Sequence, residues 1–261
     1  MQPGFFVVVI SSRIRCNSTQ FSPWQSRRSS RKVPATMRRP KVISNFAMTA
    51  DGKVSTRNHT PSGFTSQRDK RRLLEIRSLG DAVMVGRGTA EADNMTMTIP
   101  AEDLRAERLA RGQSEHPIRV LLSHSGDIPP TLKVFTNTVA PTLIYTTDAI
   151  PVSSRVALES HAQITAFPEK KVPLRSVLVD LRTRHQVKTL ICEGGPTLIK
   201  SLLAEDLLDE LFITIAPKIF GGKDAPTMTG FPGTFLPNSR QFRLKSLVVE
   251  NDEAYCHYTR I

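Results

Sequence analysis

From residue 41 onward, short apolar runs alternate with amphipathic segments. Runs rich in β-branched residues and bounded by turn residues are typical of buried strands. Such runs predict strands at 41–49, 81–88, 117–123, 141–147, 163–168, 189–194 and 209–220. Helical spacing or end signals predict helices between a cap at Ser66 and a stop at Gly80, and at 101–112, 172–185 and 196–208.

This order of elements predicts the architecture. Strands that alternate with helices favour a largely parallel sheet covered on both faces. Two alternating runs, 241–250 and 254–261, are joined by the polar stretch NDEA and predict a C-terminal antiparallel hairpin. The fold class is therefore α/β, with a mostly parallel central sheet. No linker is evident after residue 40, so we expect one domain over 40–261 and a separate leader over 1–39.

The leader carries most of the positive charge of the chain. Its eight basic residues come without a single acid, so removing them from the net charge of +12 leaves +4 for the rest. That value is ordinary for a globular domain and weakens a nucleic-acid-binding hypothesis, so we expect no nucleic acid as partner. The basic residues are Arg13, Arg15, Arg27, Arg28, Arg31, Lys32, Arg38 and Arg39.

The composition of residues 1–39 leaves two explanations open. A basic, serine-rich, acid-free segment that we expect to be disordered is typical of a transit peptide. Met37 stands just before the first predicted strand, so the segment is equally well an upstream extension. We therefore expect a cytoplasmic protein, or a plastid one if the leader is a true transit peptide. No apolar run approaches the ~18 residues of a membrane helix, so we expect no membrane partner.

The three cysteines do not indicate a metal site. Cys16, Cys192 and Cys256 form no CxxC pair, and the six histidines show no ligand spacing. Cys192 and Cys256 lie in apolar strands, where we expect small buried side chains. We expect no bound metal.

The stretch ICEGGPTL, residues 191–198, joins a predicted strand to a predicted helix. Gly194 and Gly195 leave the backbone open, and Pro196 suits a first helical turn, where its missing N–H has no helical partner. The unpaired N–H groups of such a helix start attract anions. A plain tight turn is the alternative, and this stretch alone does not decide between them.

A second glycine turn follows another buried strand. In VGRGTAEADN, residues 85–94, Gly86 and Gly88 open the backbone and Thr89 offers a hydroxyl at a helix start, with Asp93 one turn later. Neither turn is a complete GxGxxG fingerprint or a P-loop. Two such turns at one end of a sheet are nevertheless suited to the two halves of a dinucleotide.

The third candidate is the loop after the first strand, in NFAMTADGKVST, residues 45–56. Asp51 and Lys53 would orient a substrate or transfer a proton if the loop borders a nucleotide cleft. Solvated turn residues are the alternative.

Taken in order, these segments resemble a known family. MTADGK, TSQRDKRRLLEIRSLGDAVMVGRGTAEADN, PIRVLLS, ICEGGPTL and DELFITIAPKIFGGKDAPT are similar in order and spacing to the reductases of riboflavin biosynthesis, from about residue 40 to the C-terminus. The resemblance implies a dihydrofolate-reductase-like three-layer fold, NADPH as cofactor and a homodimer. It also implies that a ribosylaminopyrimidine 5′-phosphate, either the uracil or the diaminopyrimidinone, is reduced at C1′ of its sugar. A reductase of the same fold with another substrate remains an alternative.

The same resemblance implies residue roles at the cofactor end. NADPH would be bound by the two glycine turns, by Ser123 and by the start of the last predicted helix. The residues concerned are Gly86, Gly88, Thr89, Asp93, Ser123, Gly194, Gly195, Pro196, Thr197 and Leu198.

At the substrate end, the resemblance implies that Asn45, Arg77 and Glu193 bind the substrate, with Arg77 facing its phosphate. Lys53, Asp51 and Glu193 would be catalytic. The chain departs from the family at Pro100, where many members carry an arginine, and at Gly63, where many carry an aromatic residue. Arg105 is the nearby candidate to replace the missing arginine.

Overall fold

A computed structural model describes residues 39–55, 64–230 and 235–261. Within these ranges, nine strands form one sheet in the order β5-β4-β3-β2-β6-β1-β7-β9-β8. Every predicted strand is present. The strands are β1 Lys41–Thr49, β2 Ala82–Gly86, β3 Ile118–Leu122, β4 Thr142–Thr147, β5 Gln163–Phe167, β6 Thr189–Cys192, β7 Glu210–Ala216, β8 Phe242–Glu250 and β9 Glu253–Arg260.

The helices lie between the strands as expected, with three short additions. They are α1 Gln67–Leu79, α2 Arg87–Asp93, α3 Glu102–Ala110, α4 Lys133–Thr136, α5 Val152–Glu159, α6 Leu174–Thr183 and α7 Pro196–Ala204. The sequence pattern predicts only the start of α2 and does not indicate α4 or α5. These short helices have too few turns to display a clear helical period.

Several predicted elements end a few residues earlier in the structure, and two of them end four residues earlier. The helix expected at 196–208 stops at Ala204, because Asp206 adopts a left-handed conformation with φ of 58°. The strand expected at 209–220 stops at Ala216. Beyond it, the N–H groups of Phe220 and Gly221 donate to the carboxylate of Asp51 and not to a neighbouring strand.

Strand directions confirm the predicted fold class. All pairings from β5 through β7 are parallel, whereas β9 is antiparallel to both β7 and β8. The β8–β9 hairpin turns at Asn251 and Asp252, which both have positive φ, as a two-residue hairpin turn requires. The result is a mostly parallel sheet that ends in the antiparallel C-terminal hairpin.

Helices cover both faces of this sheet and give three layers. On one face, alternate strand residues such as Val42, Met84 and Val120 pack with the apolar sides of α6 and α7. On the other face, residues such as Ile43 and Val83 pack with α1, α2, α4 and α5. The alternation follows from the two-residue period of a strand, which sends successive side chains to opposite faces.

The chain is attached to the domain at its first described residue. The Arg39 guanidinium donates to both carboxylate oxygens of Asp209, at 2.5 and 2.7 Å, and the Val42 N–H donates to the same carboxylate at 2.8 Å. Arg39 therefore packs against the domain, although it is the last residue of the predicted leader. The rest of that leader lies outside the described residues, and its boundary stays a prediction.

We expect Asp209→Asn to lower the free energy of unfolding by about 2 kcal/mol, the usual value of hydrogen bonds to a charged group. Burial alone would raise the pKa of Asp209, but hydrogen bonds from Arg39 and Val42 and the charges of Arg39 and Arg260 outweigh it and lower that pKa. A depressed folded pKa stabilises the fold above the unfolded value of about 4, and the stabilisation is lost as the pH falls through the folded pKa.

Thermal denaturation from neutral to acidic pH measures this effect. The gap between wild type and variant should stay constant near neutrality and close below about pH 4. The matched control is Asp206→Asn, which removes a more exposed partner of Arg260 and should change the unfolding free energy by less than about 1 kcal/mol. Equal losses in both variants would contradict the prediction.

Cys192 and Cys256 are buried, as predicted, while Cys16 lies outside the described residues. None of the helices within the described ranges is long and apolar enough to cross a membrane.

Candidate active site

A cavity of about 1250 Å³ opens where β2, β3 and β6 end. In parallel sheets this edge is where ligands bind, because the loops and helix N-termini that follow the strands converge there. The walls come from the middle of β1, the inner side of α1, and the starts of α2 and α7. Lining residues from the predicted set are Asn45, Arg77, Gly86, Gly88, Thr89, Asp93, Ser123, Glu193, Gly194, Gly195, Pro196, Thr197 and Leu198.

The two glycine turns touch each other in the floor of the cavity. The Gly86 N–H donates to the carbonyl oxygen of Gly194 at 2.9 Å. Gly194 has φ of 102°, a conformation that favours glycine. A Cβ built on Gly195 would lie 2.6 Å from Thr89 Oγ1, so the backbone there approaches Thr89 more closely than any side chain allows. The sequence prediction that both turns serve one site agrees with this contact.

Both helices that begin at these turns leave their first N–H groups without a side-chain cap among the described residues. The N-cap of α2 is Gly86 and that of α7 is Gly195, with Pro196 in the first turn of α7. Uncapped helix starts combine free backbone donors with the positive end of the helix dipole. Two of them at one cavity form a surface suited to phosphate groups.

Next to the second glycine turn, Glu193 forms a buried ion pair with Arg77 of α1. Arg77 Nε and Nη2 each donate to one carboxylate oxygen of Glu193 at 2.8 Å, and Arg77 Nη1 donates to the Thr98 carbonyl at 2.6 Å. The side chains are only 8% and 5% exposed. Burial lowers the pKa of Arg77, but the charge and hydrogen bonds of Glu193 outweigh burial and raise it. Arg77 therefore stays charged in this buried position.

Asp93 shares this part of the cavity. It ends α2 and lines the wall, where partial burial raises the pKa of its carboxyl, and the negative charge of Glu193 raises it further. Two acids within electrostatic reach of each other, only one of which pairs with an arginine, are typical of a site that handles charge or protons.

Two further predicted residues lie on the wall in different settings. Ser123 is buried and its Oγ accepts from the Gly126 N–H at 3.0 Å, which fixes the turn after β3. Asn45 projects from β1, and its Oδ1 is buried with no hydrogen-bond partner among the described residues. A role for Asn45 in substrate binding stays a prediction.

The structure does not bring Asp51 and Lys53 to the cavity wall. Asp51 accepts from Thr49 Oγ1 at 2.5 Å and from two backbone N–H groups, and these bonds lower its pKa. The Lys53 backbone forms a bridge with Thr227, and its Nζ lies 3.5 Å from the Ala225 carbonyl oxygen. Their neighbours Val54 and Ser55 do line the cavity. Catalytic roles for Asp51 and Lys53 stay predictions.

Arg105 lies close to Pro100 but is engaged. It donates to the carbonyl oxygens of Ile99 and Pro100 and to Glu115. Gly63, the other departure from the family, lies outside the described residues.

Sequence reasoning missed the part that α1 plays in the site. Asp69, Leu73 and Arg77 all line the cavity, yet only Arg77 was predicted. Their spacing of four residues places them on one side of a helix, which was the available signal.

Comparison with known proteins identifies the family. Residues 40–252 match the RibD C-terminal domain. A protein of Archaeoglobus fulgidus named 2,5-diamino-6-ribosylamino-4(3H)-pyrimidinone 5′-phosphate reductase is 34% identical over 190 residues, covering 73% of this chain and 86% of that protein. A protein of the same name from Methanothermobacter thermautotrophicus is 34% identical over 195 residues, covering 75% of this chain and 86% of its own.

Solved structures agree on the fold. The pyrimidine reductase-like protein of Corynebacterium diphtheriae superposes with a TM-score of 0.75 at 20% identity, over 87% of this chain and 94% of that one. The domain match spans most of this chain, and the two archaeal relatives are 34% identical to it. This chain therefore belongs to the RibD C-terminal domain family of riboflavin-biosynthesis reductases.

Proposed function

We propose that this protein is an NADPH-dependent reductase that converts a ribosylaminopyrimidine 5′-phosphate to its ribitylamino form. The observation that carries the proposal is that two uncapped helix starts and a buried arginine–glutamate pair line one cavity. The names of the archaeal relatives make the diaminopyrimidinone the first substrate to test, and the uracil compound the second.

The residues at the glycine turns fit a dinucleotide. Gly194 and Gly195 keep the floor free of side chains, and the starts of α2 and α7 offer backbone donors for phosphate oxygens. Thr89 and Asp93 on α2 and Ser123 after β3 would hold the remaining polar groups of the cofactor. NADPH, when bound, supplies the hydride that goes to C1′ of the sugar.

The chain's own contribution at the substrate end is orientation and charge. Arg77 holds Glu193 in one position through two parallel hydrogen bonds, so the carboxylate faces the reacting sugar without freedom to rotate.

A reductase of this fold with another substrate is the alternative within the same class. A steady-state assay separates the two. The wild-type protein should oxidise NADPH with the diaminopyrimidinone or the uracil substrate and form the ribitylamino product, identified by mass. Absence of oxidation with both would remove the proposed function.

A nucleic-acid-binding role is the alternative of a different class, because the net charge is +12. Deletion of residues 1–38, which keeps Arg39, tests it. The enzyme should retain its activity after this deletion, whereas a nucleic-acid binder that depends on the leader should lose its affinity.

Asp93→Ala should raise the NADPH dissociation constant about 10-fold or more, because one hydrogen bond to a charged group contributes about 1.5–3 kcal/mol. Titration of the free enzyme with NADPH, followed by calorimetry, measures it. Glu107→Ala, an exposed acid on α3, is the control and should leave the constant unchanged. Equal constants for wild type and Asp93→Ala would exclude Asp93 from the cofactor site.

We further propose a homodimer that uses the outer strand of the sheet. β8 lies at the edge and exposes Leu244 and Val249, 39% and 49% accessible, and an exposed edge strand is a natural pairing surface. Sedimentation velocity tests this state.

For the compartment, N-terminal sequencing of the native protein distinguishes a removed leader from a retained one.

A further inference from the structure

Asp69 is a largely buried acid on the cavity wall, and its carboxylate has no partner within the described residues. It is 8% exposed, and its backbone N–H donates to the Ser66 Oγ at 3.1 Å. Across residues 39–55, 64–230 and 235–261, no donor hydrogen-bonds to its carboxylate and no cation lies within ion-pair distance. A largely buried acid on a cavity wall, whose carboxylate accepts from no protein donor in these ranges, is free to accept from a ligand that enters the cavity.

The start of α1 is held firmly, which fixes the backbone of Asp69 beside the cavity. Glu253 accepts from the Ser66 N–H at 2.9 Å and from Ser66 Oγ at 2.5 Å, and the Tyr255 hydroxyl donates to the same carboxylate. Ser66 in turn caps the helix through Asp69. These bonds join the first turn of α1 to β9.

The nearest arginine is directed elsewhere. Arg72 donates to Thr214 Oγ1 at 2.9 Å and to the Cys256 carbonyl oxygen at 3.2 Å, and its guanidinium lies over the rings of Phe212 and Tyr255. Asp69 acts on Arg72 only as a charge at a distance. The acid therefore keeps its accepting capacity for the cavity.

Asn45 lines the same cavity, but its Oδ1 is buried away from the open space and has no hydrogen-bond partner among the described residues. The carboxylate of Asp69 is therefore the acceptor on this wall that the N–H or O–H groups of a ligand can reach.

We propose that Asp69 determines which pyrimidine base the enzyme accepts, an inference that rests on the proposed function. In the diaminopyrimidinone, the ring N3–H and the 2-amino group are adjacent donors on one edge, and two parallel donors match one carboxylate. In the uracil compound, a carbonyl oxygen replaces the 2-amino group and would face the carboxylate as acceptor against acceptor. Asp69 thus selects the diaminopyrimidinone and rejects the uracil.

The geometry of α1 orients this substrate. Asp69 and Arg77 lie on one side of the helix, eight residues and therefore about 12 Å apart, with Leu73 between them. The base edge would bind at Asp69 and its ring would pack on Leu73. The sugar then extends toward the Arg77–Glu193 pair.

The test compares kcat/KM for both substrates in wild type, Asp69→Ala and Asp69→Asn. Wild type should prefer the diaminopyrimidinone. For Asp69→Ala, kcat/KM should fall about 100-fold with the diaminopyrimidinone, because the N3–H and 2-amino donors of that substrate lose their acceptor. With the uracil compound, kcat/KM should change little. Asp69→Asn should move the ratio further toward the uracil, because its amide N–H can donate to the 2-carbonyl.

Glu75→Gln is the matched control, since it removes an acid from α1 that is 37% exposed and pairs with Arg68 and Arg71. It should leave both kcat/KM values unchanged, and the NADPH dissociation constant should be the same in all four proteins. A wild-type preference for the uracil, or equal losses on both substrates in the Asp69 variants, would overturn the role of Asp69 and leave the reductase assignment intact. If the wild type is inactive on both substrates, the role of Asp69 and the reductase assignment are both overturned.

Discussion

Glu193→Gln should lower kcat by about 100-fold or more and leave NADPH binding unchanged. Glutamine has nearly the same shape, but it can accept only one of the two bonds that Arg77 donates, and its amide group meets the guanidinium with a donor. The substitution also leaves a buried arginine without its counter-charge, which costs about 3–5 kcal/mol of stability. The melting temperature should therefore fall together with turnover.

A double variant separates the two effects. Replacing a buried ion pair by apolar residues of similar volume is often neutral for stability, so Arg77→Met with Glu193→Leu should recover much of the melting temperature. If the pair acts in the reaction, this folded double variant should remain inactive in NADPH oxidation. Recovery of activity along with stability would show that the pair only holds the fold together. Single-turnover kinetics with saturating NADPH measures the chemical step directly.

Gly195→Ala should weaken NADPH binding by about 100-fold, the second large effect. A Cβ at this position would lie 2.6 Å from Thr89 Oγ1, well inside contact distance, so either the Thr89 side chain must rotate or the start of α7 must move away from α2. Either change disturbs the contact between the two helix starts that are proposed to hold the phosphate groups. Titration with NADPH gives the affinity.

Gly88→Ala is the matched control on the neighbouring helix start, because a Cβ there meets nothing within 4 Å. It should affect affinity much less than Gly195→Ala. A double-mutant cycle tests the contact with Thr89. Because Thr89→Ala removes the clashing oxygen, Gly195→Ala should reduce the NADPH affinity less in the Thr89→Ala background than in the wild type. An additive cycle would show that the loss does not arise from the contact with Thr89.

Elements with a strong period were predictable from the chain alone. The apolar runs that became β1 through β7 and the alternating runs of the β8–β9 hairpin are local patterns, so the strand order along the chain and the α/β class followed from them. The short helices α4 and α5 were not predictable, because four and eight residues hold too little pattern. The boundary of β7 depended on Asp51, which is distant in sequence and captures the N–H groups of Phe220 and Gly221.

Site residues divide in the same way. Glycines at strand ends are visible in sequence because a bare backbone is itself the signal, and both glycine turns do line one cavity. Asp69 carried no such signal, because an acid in the first turn of a helix is usually explained by the helix dipole. Its significance arises from burial without a partner, which no local pattern reports.

The sequence by itself determined the class of fold, the family and the two glycine turns, because each depends on residue types and spacings within short stretches. Only the tertiary structure decided which groups meet. It paired Arg77 with Glu193 across 116 positions, placed Thr89 against Gly195, and left Asp51 and Lys53 off the cavity wall. The reason is physical. Packing between segments that are far apart in the chain determines which group contacts a buried charge or an open backbone, and the hydrophobic period of one segment contains no information about the other.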